Sequence, residues 1–308
     1  MVLPDALPDV LAYLPGISPG VLVTQLIVGL SRSMILFLVA SGLTLILGVL
    51  RVINFAHGSL YMIGAFLAYS IFTMLGGGST GFWMALVLAP LGVALLGLLL
   101  ERGLLRYIYH REHLLQALLT FAVLLILADL VKLIWGLEFR SISAPDIFIG
   151  SFLVFGLPVP RYNIFLIIVG SLVAVGLWFL MNKTRIGKIS RAAAVDREMV
   201  GALGINAGWV FAAVFVIGAW LAGLGGVLIA PTVSIIPGMD MSLIIEAFLI
   251  VIIGGMGNMW GALLGALVIG VAHSYGVLFW SQFAIVFPYA IAAVLLIVRP
   301  SGLLKSVW

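Results

Sequence analysis

The stretch GVLRVINFAHGSLYMIGAF, Gly48 to Phe66, sets Arg51, Asn54 and His57 between two apolar runs. Asn54, His57 and Tyr61 fall at i, i+3 and i+7, so a helix begun at Asn54 carries all three on one face. Two roles fit that pattern. In the first the break is structural: Asn54 caps the next helix and His57 finds a backbone carbonyl. In the second these residues border a substrate path or its cytoplasmic gate. Glu246 raises the same choice, because an acid in lipid is costly unless it is paired or wet. It lies near an expected helix start, where the N-terminal dipole favours negative charge. Asp129 and Lys132, three apart, are expected to pair. The four histidines, 57, 110, 113 and 273, are scattered. His110 and His113 lie among arginines and read as a solvated face, and His273 as a hydrogen-bonded interior residue. The sequence assembles no metal-ligating or catalytic set and implies no cofactor. It has no cysteine and no GxxxxGK[ST] phosphate loop.

The elements that position these residues must be membrane helices. Hydrophobic residues make up 64% of the chain, charged residues only 8%, and the mean hydropathy is +1.32. Soluble domains carry about 25% charge, so lipid is the solvent here. The expected fold is an all-α polytopic membrane bundle of about 8–10 segments. Apolar runs occupy 21–50, 58–75, 82–101, 114–136, 162–182, 208–231, 243–257, 261–280 and 283–298. The first is long enough to be one tilted helix or two, and Arg32 interrupts it. The lead-in 1–20 has four prolines and no Lys or Arg, which fits an irregular or interfacial segment and not a secretory signal.

The net charge of +4 comes from clusters between apolar runs, a pattern of membrane orientation and not of nucleic-acid binding. Arg102, Arg106 and Arg111 mark one loop, Lys183 to Arg197 a second, and Arg299 and Lys305 the C-terminus. All three are expected in the cytoplasm, with the N-terminus, Gly76–Gly81, 137–161 and 232–242 outside. Glycines recur at small-xxx-small spacing in Gly257, Gly261, Gly265 and in Gly218, Ala222, Gly226, where helix backbones can approach closely. HGSLYMIGAFL and GGMGNMWGALL share a glycine six residues before a Gly-Ala pair, a hint of an internal repeat.

The polar segment from Asn182 to Asn206 contains an amphipathic helix, Arg191 to Leu203, with a stop at Gly204. Its apolar residues include Ala192, Ala193, Val195, Met199, Val200 and Leu203, and Arg191, Asp196, Arg197 and Glu198 take other faces. A headgroup-bound helix and a docking helix for a cytoplasmic protein both fit.

GLTLILGVLRVINFAHGSLYMIGAFLAY resembles the signature of the LivH-type permease subunit of bacterial branched-chain amino acid ABC transporters. RAAAVDREMVGALGIN, GAWLAGLGGVLIAP, GGMGNMWGALLGALVIG and RPSGLL are similar to its later landmarks, in the same order. The resemblance spans residues 21–304 and implies a transmembrane permease domain, with a coupling loop at about 183–206 and a tail at 305–308. It implies no enzyme activity. The expected partners are a second permease (a related chain or a copy of this one), two cytoplasmic ATPase subunits and an external substrate-binding protein. The expected place is the cell inner membrane, with the C-terminus cytoplasmic. Where importer loops open Glu-Ala-Ala, this chain has Arg191-Ala192-Ala193. Permeases of this family also serve urea, amides and small aromatic acids. The rival of another class is an ion-coupled secondary transporter, whose few candidate groups are Arg32, Asp129, Lys132 and Glu246.

Overall fold

The computed structural model describes residues 18–154 and 156–305. Residues 1–17 of the Pro-rich lead-in and 306–308 of the tail lie outside the described residues. Among the described residues, nine apolar helices follow the nine apolar runs. They are α1 (Pro19–Leu50), α2 (Ala56–Met74), α3 (Gly78–Gly103), α4 (His113–Trp135), α5 (Arg161–Lys183), α8 (Ala207–Ile229), α9 (Met239–Gly254), α10 (Met259–Phe279) and α11 (Val286–Val298). Between α5 and α8 lie two short polar-segment helices, α6 (Arg185–Val195) and α7 (Arg197–Ala202). α1, α3, α4, α5, α8 and α10 are each long and apolar enough to cross a membrane alone. α2 has 19 residues but includes His57, Ser59 and Ser70, α9 has 16 and α11 13, and all three pack against the other helices.

α1 is one helix, not two. Ser18 accepts the Val21 N–H at its start, Pro19 supplies a preset φ, and 32 residues follow without a break. At about 1.5 Å per residue it is longer than a ~30 Å hydrocarbon core, so it is tilted or projects from it. Burial separates the centre of the bundle from its rim. The apolar window of α1 is 89% buried and that of α8 72%, against 28% for α5. α1 and α8 are therefore the core. α3, α4 and α5 turn Leu95, Leu99, Leu118, Ile126, Leu172 and Val175 outward, as a lipid face requires.

The glycines explain how the core closes. A Cβ on Gly64 of α2 would lie 2.6 Å from the Gly223 carbonyl oxygen of α8, and one on Gly42 of α1 2.7 Å from that of Gly218. Gly218, Gly223 and Gly226 thus form the contact seam of α8, with Gly223 making the approach to α2 where the spacing pointed to Ala222, which is only buried. The other ladder needs correction. Gly261 packs on Gly254, and Gly265 lies against the Ile250 carbonyl, but Gly257 is outside α10. Its φ of +78° makes it a turn residue joining α9 to α10.

The expected 137–161 loop is partly ordered as strand. β1 (Ser151–Val154) pairs antiparallel with β2 (Leu157–Pro160), and Gly156 has φ +81° in the turn between them. Arg140 and Ile235 exchange backbone hydrogen bonds of 3.0 and 2.8 Å, tying this segment to the α8–α9 loop. On the rim, Lys132 and Asp129 form the expected pair at 2.8 Å.

Candidate functional site

Three features carry the polar residues: the elbow between α1 and α2, a cavity beside α9, and the segment α6–α7.

At the elbow Arg51 ends α1 in the left-handed conformation, φ +56°, the one non-glycine residue with positive φ among the described residues. Such a conformation costs roughly 1–2 kcal/mol. The guanidinium offsets it by donating from Nη2 to the Ala194 carbonyl, 3.1 Å, in the last turn of α6. Thr120 of α4 clamps the next residues: its Oγ1 donates to the Ile53 carbonyl at 2.9 Å and accepts the Phe55 N–H at 3.2 Å.

α2 then begins at Ala56, two residues later than a helix started at Asn54, so the shared face expected for Asn54, His57 and Tyr61 does not form. Asn54 is no cap either. Phe55 holds that position without a side-chain bond, and Asn54 is fully buried with both amide atoms unpartnered among the described residues. His57 does find a carbonyl: Nε2 lies 3.0 Å from the Val39 oxygen, which can only accept, so Nε2 carries the proton. His57 is also fully buried.

Tyr61 and Glu246 do meet. They line a cavity of about 300 Å³ with Arg32, Leu36, Ile236 and Leu243. Arg32 Nη2 donates to both Glu246 oxygens, at 2.9 and 3.0 Å. A neighbouring cavity of about 230 Å³ shares Arg32, Ile35, Ile229 and Val233, and adds Gln25 and His273. Arg32 therefore stands at the wall between two spaces. Its pairing with a residue 214 positions away leaves no local sequence pattern. The available signal was two lone opposite charges within apolar runs. Asp240 was also missed: it is buried in the first turn of α9 and accepts the Ser59 hydroxyl at 2.9 Å.

The α6–α7 segment departs from a single helix at Asp196. This residue is extended, φ −144°, and its side chain accepts the Met199 N–H at 2.9 Å. Asp196 thus starts α7. Arg191 turns back to donate to the Met181 carbonyl and Asn182 Oδ1 at the end of α5. Arg197 donates to His110 Nε2 at 3.1 Å and lies 5.0 Å from the Phe211 ring centre. Ala193, Ala194 and Val200 face the bundle, while Ala192 and Glu198 are exposed. Val195, Met199 and Leu203 are 72%, 59% and 72% exposed. Gly204, φ +79°, ends the segment. An open cleft of about 700 Å³ lies beside it, lined by Asp196, Glu198 and Asn206 among others. Tyr109 secures the adjoining loop by donating to Glu101 at 2.7 Å; burial first, then that bond, holds its phenol well above the ordinary value. The arrangement offers an ion pair at the wall of a cavity and, apart from it, an exposed apolar face on α6–α7.

A family model described as "Branched-chain amino acid transport system / permease component" matches residues 25–299. The chain is 32% identical over 292 residues to the high-affinity branched-chain amino acid transport system permease protein BraD of Pseudomonas aeruginosa, covering 91% of this chain and 94% of that one. It is 30% identical over 280 residues to LivH of Escherichia coli, with 87% and 90% covered. Its identity to LivM of Salmonella typhimurium is 26% over 298 residues, with 89% and 68% covered. LivH and LivM carry the same permease description as BraD. No solved structure matches the chain.

Proposed function

Since the chain belongs to the branched-chain amino acid transport permease family, we propose that it forms one half of the pore of an ATP-driven importer in the cell inner membrane. The cargo is a branched-chain or other hydrophobic amino acid. The other half is a related permease or a second copy of this chain. Two cytoplasmic ATPase subunits dock on α6–α7, and an external binding protein delivers cargo at the opposite end. ATP binding and hydrolysis on the partners bias the pore between outward and inward states, so movement needs no chemistry in this chain. The observation that carries the reading is the family match over residues 25–299, nearly the whole bundle. The exposed apolar side of α6–α7 supports the docking part.

Reconstitution with these partners should give leucine uptake that needs both ATP and the binding protein. Uptake driven by an ion gradient without ATPase subunits would favour the secondary transporter, and competition by urea or amides but not leucine would move the substrate class. For orientation, reporters fused after Arg191 and after Ile235 should report cytoplasmic and external positions respectively. Both on one side would overturn the expected topology.

A further inference from the structure

We propose that Arg32 and Glu246 form a zwitterion-reading site, in which each charge exchanges its protein partner for the opposite charge of a passing amino acid. The proposal rests on the amino-acid cargo inferred above. Three observations carry it. First, the pair stands in a cavity and is not sealed in packing: the Arg32 side chain is 34% exposed and that of Glu246 15%. Second, the Arg32 fork is underused. One nitrogen, Nη2, serves both Glu246 oxygens, and Nε has no partner among the described residues. A guanidinium has five donors and prefers a two-nitrogen grip on a carboxylate. Third, the remaining wall is largely apolar, with Ile35, Leu36, Ile229, Ile236 and Leu243, and at about 300 Å³ the space is at the small end of ligand cavities.

The exchange has a charge logic. An α-amino acid carries ammonium and carboxylate on neighbouring atoms. When its carboxylate takes Arg32 and its ammonium takes Glu246, every charge keeps a counter-charge and the ion pair re-forms on release. An amine or a carboxylic acid alone would satisfy one protein charge and leave the other without a counter-charge in a half-buried cavity, which is unfavourable. The site thereby rejects single-charge analogues by leaving a group unpaired. Tyr61, on the same wall, offers a hydroxyl to either end of the zwitterion. The aliphatic side chain is left to the isoleucine and leucine walls.

The test uses the assembled transporter in membrane vesicles. A Ser242→Cys reporter lies in the cavity wall at an exposed position of a chain without native cysteine. Millimolar leucine should slow its reaction with a charged thiol reagent, whereas 4-methylpentanoate and 3-methylbutylamine, which lack one charge each, should not. Arg32→Gln and Glu246→Gln should each lower leucine uptake about a hundredfold while the protein stays inserted and bound to its ATPase. The exchange Arg32→Glu with Glu246→Arg restores an ion pair but reverses the polarity, and it should remain inactive. Equal protection by all three solutes, or normal uptake by the exchanged pair, would overturn the proposal while leucine uptake by the unaltered chain continues. Absence of leucine uptake by the unaltered chain would instead remove the cargo assignment and this proposal together.

Discussion

Replacing Val195 and Leu203 together with lysine will leave the bundle inserted and abolish ATP-driven uptake. Both side chains are 72% exposed and touch no core, so the cost to folding is small. At a protein interface, buried apolar anchors can each contribute 2 kcal/mol or more, so losing two weakens ATPase association by about two to three powers of ten. The charged partner of these anchors is Glu198, also exposed; Glu198→Lys should weaken association less, because rim charges set register and on-rate more than affinity. Asp196→Lys makes a poorer probe. Its carboxylate caps α7 through the Met199 N–H, so the change also removes a cap worth about 0.5–2 kcal/mol. A helix resting on headgroups makes the opposite forecast, since each added lysine near an anionic surface contributes about 1 kcal/mol of attraction. Copurification of ATPase subunits with the double-lysine chain, measured beside uptake, decides the matter. Normal copurification and normal transport would remove the docking role from this face.

The apolar runs were legible because lipid demands them one at a time, and each of the nine became a helix. The stop at Gly204 was legible for a similar reason: it adopts positive φ, which glycine does without steric cost. What could not be read was anything that depends on a partner far along the chain. Thr120 holds the elbow from 65 residues beyond Phe55, and that clamp displaces the start of α2 past Asn54. Arg32 and Glu246 are single charges in separate runs until α1 and α9 come together. The break at Asp196 was local yet missed, because an Asp inside an amphipathic pattern fits a helical face as readily as the cap of a second helix. The hairpin at 151–160 was missed for want of a hydrophobic alternation strong enough to stand apart from a loop. Arg51 links these levels: it closes α1 and bonds the Ala194 carbonyl at the end of α6, so one side chain ties together two helix ends that lie 143 residues apart.

Gly226→Ala will destabilise the folded protein and lower its yield, whereas Gly176→Ala will not. The two substitutions are chemically identical and both sit inside long helices, α8 and α5. They differ in what the new methyl meets. At Gly176 there is nothing within 4 Å, so the change acts through helix propensity and should be neutral or stabilising by up to about 1 kcal/mol. At Gly226 the methyl falls on the Tyr61 carbonyl and 2.8 Å from the Ala65 backbone nitrogen. Those are main-chain atoms of α2 and have no rotamer to yield, so α2 must move away from α8. Overpacking of this kind costs about 1–3 kcal/mol, and a rigid backbone contact belongs at the upper end, about two powers of ten in the folded-to-unfolded ratio. The damage also has a direction. Tyr61 is one wall of the cavity holding Arg32 and Glu246, so separating α2 from α8 widens that cavity and loosens the site. Any Gly226→Ala protein recovered in the membrane should therefore transport poorly even after correction for its amount. Size-exclusion profiles of solubilised membranes give the folded yield, and uptake per folded molecule gives the second effect. A Gly226→Ala chain as abundant and active as Gly176→Ala would show that α2 and α8 do not meet as closely as their glycines allow.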